Sequence, residues 1–188
     1  MIEIRMPHGR SSFKQRPGCV GVGLIEVMIA ALVLAVGVLG YVGLQLNAKR
    51  LNFEAIQRTT ASYAAQNLLE RMRGNPNQVG SYVVTDIDPG ALTEPSPNCT
   101  TAQCTNTELA AFDLWEWDQV LDGTSVSGGL VNPMACVTNA SNFITVIIVW
   151  QGKVELDQTN APACGDGNYG TDDKLRQWVS MSSFVADV

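Results

Sequence analysis

From Val27 to Leu44 the chain carries eighteen consecutive residues without a charged side chain. At ~1.5 Å per residue such a helix is about 27 Å long, close to the hydrocarbon thickness of a bilayer. Beyond it the apolar positions thin out to Leu46, Phe53, Ile56, Tyr63, Ala64, Leu68 and Met72, mostly three, four or seven apart. That spacing predicts one apolar helical stripe, with Lys49, Arg50, Glu54, Gln57, Arg58, Gln66 and Glu70 on the other surface. No proline interrupts the chain between Pro17 and Pro76, and Arg71, Arg73, Gly74 and Pro76 give a helix-stop pattern. One helix from about 24 to 73 is expected, with an uncharged first part and an amphipathic second part.

Residues 74 to 106 are rich in Asn, Pro, Gly, Thr and Ser and predict an irregular connector, with only Tyr82 to Val84 strand-like. Thr107 to Leu121 has a cap-like Thr at its start. It places Ala110, Leu114, Trp117 and Leu121 on one side, which predicts a second, shorter helix. The β-branched run Asn142 to Trp150 and the alternating run Lys174 to Phe184 read as strands, with another near Met134 to Thr138. The expected fold class is α+β: a small antiparallel β-sheet packed against the second half of the long helix.

Charge divides the chain. Residues 1 to 21 hold Arg5, Arg10, Lys14 and Arg16 against Glu3, leaving 8 basic and 17 acidic residues in the remainder. Basic residues before the apolar run favour a cytoplasmic N-terminus, an asymmetry that Lys49 and Arg50 weaken. The run exceeds the 7 to 15 residues or so of a secretory signal core and continues into helix-forming sequence, so its removal is not expected. A formal net charge of −6 argues against a phosphate-binding surface, and no nucleic-acid partner is expected. The lone histidine, His8, restricts Ser/His/Asp, Cys/His and His-zinc chemistry to the extreme N-terminal segment.

Glu26 stands one residue before the uncharged run, where a bare carboxylate at bilayer depth costs roughly 2.5–3.5 kcal/mol unless it is interfacial or partnered. The surrounding stretch, Gly18-Cys19-Val20-Gly21-Val22-Gly23-Leu24-Ile25-Glu26-Val27, resembles the class III signal of type IV pilins and pseudopilins. The resemblance implies a basic leader, 1–21, cut after Gly21 by a prepilin peptidase, with Val22 as the new and methylated N-terminus. Leu24, Ile25 and Glu26 form the processing core. Val22 and Gly23 stand where the commonest members have Phe and Thr, a departure more like a minor pilin than a major one. Glu26, four residues from Val22, would pair with the α-amine of a neighbouring subunit in a low-dielectric helix bundle. Gly37, Gly40 and Gly43 would either permit close helix packing or local unwinding in a filament, or be ordinary membrane-helix glycines.

With this resemblance the implied architecture is the pilin lollipop. It comprises the leader 1–21, a transmembrane and assembly half 22–44, an amphipathic half 45–73 and a globular periplasmic head 74–188. The start of the motif and the Arg71-Met72-Arg73 ending of the helix resemble minor pilins of the PilV type, subunits of the complex that primes pilus assembly for motility and adhesion. A minor pseudopilin of a type II secretion system is the alternative. Implied partners are the prepilin peptidase, other minor pilins, the major pilin, a tip adhesin and the inner membrane, where the chain is a single-pass protein before assembly onto a surface pilus. No enzyme activity, catalytic residue or cofactor is expected.

Cys99, Cys104, Cys136 and Cys164 lie beyond the run, in the compartment this topology makes oxidising, and read as disulfides. Of the three pairings four cysteines allow, the sequential one is preferred, the second bridge clasping the two main strands. A four-thiolate zinc site is the rival, but paired Cys-x-x-Cys knuckles are missing and no metal is expected. Asp166 to Asp173 reads as a polar turn rather than a calcium loop. Glu116, Asp118 and Asp122 read as a solvated helix face.

Overall fold

The computed structural model describes residues 23–123 and 129–186; Cys19, Gly21 and Val22, and with them the leader expected at 1–21, lie outside the described residues. Helix α1 runs Leu24–Gly74, 51 residues, without a break at Gly37, Gly40 or Gly43. A 3-10 helical turn follows at Pro76–Tyr82, then strand β1, Val84–Ile87, and helix α2, Asn106–Asp122. Strands β2, Met134–Ala140, β3, Phe143–Gln151, and β4, Arg176–Phe184, complete the chain. The fold class is α+β, a long N-terminal apolar helix and a four-stranded antiparallel sheet in the order β1-β2-β3-β4.

The chain divides after Gln45 into two units. In the second, α1 buries Ala61, Ala64, Ala65, Leu68, Leu69 and Met72 together with Gln57, at the three- and four-residue spacing of one helical face. The sheet meets them with alternate residues: Ala135 and Val137 of β2, Ile144, Val146, Ile148 and Trp150 of β3, and Val179 of β4. The α2 residues Ala110, Leu114, Trp117 and Leu121 join the same core. Alanine at 64 leaves the backbone open to a neighbour, and the Trp117 indole N–H donates to the Ala64 carbonyl at 2.8 Å. A bulky residue there would stand between the two helices.

The β2–β3 hairpin turns at Ser141 and Asn142, with φ of 52° and 66°, the pair of positive values a two-residue turn matching the sheet's twist requires. The N–H of Asn142 is held by the Asn139 side chain at 2.9 Å.

Several expectations are corrected. The cap of α2 is Thr105, not Thr107: its hydroxyl accepts from the Glu108 N–H, and the Glu108 side chain accepts from the Thr105 N–H, a capping box. The strand expected from Tyr82 begins at Val84, because Tyr82 closes the 3-10 turn and is fully buried. On α1, Leu46, Ile56 and Tyr63 are exposed while Gln57 is buried, so the apolar stripe is narrower and rotated from that read in the sequence. The face of α2 is not uniformly solvated, since Asp118 is fully buried.

Candidate functional site

Helix α1 begins with the Gly23 carbonyl accepting from the N–H groups of Glu26 and Val27, at 3.0 and 3.3 Å. This places Glu26 in the first turn, where the unpaired N–H groups of the helix favour a carboxylate. Every residue from Gly23 to Asn52 is exposed. The best 18-residue window has a mean hydropathy of 2.5, with none of it buried, and is long and apolar enough to cross a membrane. An unbroken apolar helix surface of this length needs lipid or other helices to cover it. A Cβ built on Gly37, Gly40 or Gly43 would meet no atom of the chain, so any packing reason for these glycines lies in a neighbour. The length and composition of the helix suggest a membrane anchor, and Leu24, Ile25 and Glu26 sit together in its first turn; Gly21 and Val22 precede the described residues.

Within the second unit, buried and half-buried polar groups tie the elements together. Arg71 of α1 donates to Asp113 and Glu116 of α2, each at 2.7 Å. Asp113 also accepts from the Tyr82 hydroxyl at 2.7 Å, and the Asn75 side chain donates to the Asn106 carbonyl at 2.7 Å. Burial, reinforced by the neighbouring Asp113, raises the Tyr82 hydroxyl well above the usual tyrosine range. Asp118 accepts from the N–H groups of Gly90 and Leu92 at 3.0 and 3.1 Å, pinning the connector to α2. Burial raises its carboxyl above the ordinary value although these two N–H bonds pull the other way.

Cys99 is bonded to Cys104 and Cys136 to Cys164, with Cα–Cα distances of 5.5 and 5.9 Å. The second bridge ties β2 to the segment joining β3 and β4, rather than clasping two strands. Beside it, Asp86 accepts from the Gly165 N–H at 2.7 Å. Asp86, Cys136 and Cys164 bring ligand-type atoms within 4.8 Å of one another, but two sulfurs bonded to each other are not thiolates and cannot ligate as such. In the acidic turn, Asp173 accepts from the N–H groups of Gly167 and Tyr169 at 2.6 and 3.0 Å and lies 3.7 Å from Arg176. Burial pushes the Asp173 carboxyl up, but these N–H donors and the Arg176 charge outweigh it and hold the group below its ordinary range. Its two main-chain hydrogen bonds tie the turn together.

The sequence missed the partners of Arg71, Asp113 and Asp118. For Asp118 a signal existed: 110, 114, 117, 118 and 121 share one helical face, so its spacing marked it as inward-facing.

Residues 43–115 match the Tt1218-like family model, described as type IV pilin Tt1218. The matched stretch takes in the second half of α1, the connector, β1 and the first turns of α2, and it supports a type IV pilin. It stops short of the Gly18 to Val27 motif, so the motif and the match are separate observations of the same class. No curated protein and no solved structure matches the chain. Type IV pilins are structural subunits that assemble with other pilins in a pilus.

Proposed function

We propose that this chain is a minor pilin, a low-abundance subunit of the complex that primes a type IV pilus. The observation that carries the reading is the bare apolar helix from Leu24 to Gln45, exposed throughout, with Glu26 in its first turn. Before assembly this helix crosses the inner membrane with the second unit in the periplasm. Hydrolysis of the Gly21–Val22 peptide bond by a prepilin peptidase removes the leader and leaves an α-amine at Val22, which is then methylated. On insertion into the filament the helix exchanges lipid for the helices of other pilins, and Glu26 pairs with a neighbour's α-amine. The two disulfides suit a unit that folds in an oxidising compartment.

The domain scheme follows: leader 1–21, assembly half 22–44, amphipathic half 45–73 and head 74–188. Of the α2 carboxylates, Glu116 is engaged by Arg71 and Asp118 by main-chain N–H groups, and the proposed role is not enzymatic. Deletion and complementation test the reading: loss of surface pili and motility, restored by the wild-type chain, is the expected result. Intact piliation with a loss of protein secretion would instead make the chain a pseudopilin.

A further inference from the structure

Strand β1 does not run evenly along β2. Val84 lies opposite Val137 and Ile87 opposite Ala135, so β1 carries one residue more than its partner over this stretch. Asp86, inside it, takes a left-handed φ of 47°. An extra residue of this kind turns a side chain out of the strand's alternation. At Asp86 it brings the carboxylate onto the Cys136–Cys164 bridge, with Oδ1 3.2 Å from Cys136 Sγ. That sulfur is bonded to Cys164 and has no proton to give, so the contact is one of charge against sulfur. Two donors hold Asp86 there: the Gly165 N–H reaches Oδ1 at 2.7 Å, and its own N–H points at Cys136 Sγ from 3.4 Å. Gly165 fits because it has no side chain; its φ is 66°, and a Cβ would stand 2.8 Å from Val149.

Both cysteines are buried, yet a cavity of about 330 Å³ has them in its wall together with Thr85, Asp86, Thr138 and Ala163. The last four are exposed, so the cavity opens to solvent. The nearby cation does not neutralise the carboxylate. Arg176 donates to the Cys164 carbonyl at 3.0 Å, and its charge is met by Asp166 and Asp173 at 3.3 and 3.7 Å. Among the described residues no cation lies within ion-pair distance of Asp86.

We propose that this cavity is a thiol-exchange site at the Cys136–Cys164 bridge, open to small neutral and cationic thiols and closed to anionic ones by the Asp86 carboxylate. Exchange begins when a thiolate attacks one sulfur of the bridge. A new S–S bond forms to the incoming sulfur, the Cys136–Cys164 bond breaks, and the departing sulfur leaves as a thiolate that takes a proton from water. A second thiol attacks the mixed disulfide, so two thiols are oxidised to their own disulfide and the bridge gains two electrons. Asp86 opposes either direction of attack. At Cys136 the incoming anion meets the carboxylate; at Cys164 the charge is released onto Cys136, beside it. An extra negative charge on the thiol adds to this repulsion and a positive one offsets it. The inference concerns the bridge alone and does not depend on how α1 assembles.

The test uses the folded full-length chain in detergent with mercaptoethanesulfonate, mercaptoethanol and cysteamine, which carry an anionic, a neutral and a cationic group. Rates are taken per thiolate, and released cysteines are alkylated and located by peptide mass. At Cys136–Cys164 cysteamine should outpace mercaptoethanesulfonate about tenfold, the order expected of a unit charge near the reacting sulfur at a solvent-open site, with mercaptoethanol between. The Cys99–Cys104 bridge is the internal control, since both its sulfurs face a neutral group, the Pro97 carbonyl, at 3.9 Å. Asp86→Asn keeps an oxygen for the Gly165 N–H and suits a left-handed φ; it should bring the ratio down to that of the control. In the wild type ~1 M salt should shrink the ratio as well, a measurement that needs no variant. A merely loosened fold would speed all three thiols alike. A wild-type ratio no larger than the control's, one that survives both Asp86→Asn and salt, or rates that do not rise with thiol concentration would overturn the proposal.

Discussion

Arg71 and Asp113, 42 residues apart in the chain, meet at 2.7 Å between α1 and α2. The other Asp113 oxygen holds the buried Tyr82 hydroxyl, so one carboxylate joins the long helix, the second helix and the connector. Asp113→Ala leaves that hydroxyl without an acceptor and is expected to cost about 2–3 kcal/mol. Glu116, whose side chain is 35% exposed, is the contrast: its replacement by alanine should cost ~0–1 kcal/mol. Urea unfolding of the full-length protein in detergent checks both, and equal losses would contradict the proposed division of labour.

Two buried carboxylates should shape the acid side of the stability curve in opposite directions. The folded-state pKa of Asp118 is raised above 3.8, mainly by burial. Its stabilising contribution is therefore present below 3.8 and lost as pH rises through the folded value. Asp173 is held below 3.8, so its contribution is present above that value and lost as pH falls through the folded one. Melting temperatures from about pH 3 to 7 should show Asp173→Asn furthest below wild type at neutral pH, converging in acid. Asp118→Asn should improve relative to wild type as pH rises, and parallel curves for all three proteins would refute the assignment.

The disulfides close loops of different length, with sequence separations of 5 and 28 residues. Chain-entropy arguments give the shorter a worth of ~2 kcal/mol and the longer about 3–4 kcal/mol. Replacing Cys136 and Cys164 by serine should lower stability more than replacing Cys99 and Cys104, as read by the shift in denaturation midpoint.

The long helix, the second helix and the three longer strands were legible because each repeats its apolar residues at a period set by its own backbone, 3.6 or 2. What escaped was set by distant residues. Gln57 reads as surface in its local window, yet is fully buried. The Arg71–Asp113 pair carries no local signal, and the connector hid the 3-10 turn because Val79 and Tyr82 are buried by packing rather than by a periodic pattern. Thr107 adjoins the apolar pattern and so reads as the cap, whereas Thr105 lies two residues further out, although Glu108, three residues after Thr105, completes the capping signature. The apolar run was readable from its length and lack of charge, whereas the pairing proposed for Glu26 comes from the resemblance carried by Gly18 to Val27.

Glu26→Ala should leave the precursor processed and membrane-bound but reduce its incorporation into sheared filaments, as the pairing proposed between Glu26 and a neighbour's α-amine requires. Immunoblotting of membrane and filament fractions checks this, and undiminished incorporation would remove the charge-pairing role. Gly21→Phe should instead block processing and leave full-length precursor in the membrane.

On the proposed reading this chain enters the membrane as a prepilin and is cut before its apolar helix. The N-terminal mass of the protein isolated from native membranes tests that most directly. A chain beginning at Val22 and carrying one added methyl group is the expected result. An intact start at Met1, or a cut beyond Leu44 that discards the apolar helix, would contradict it.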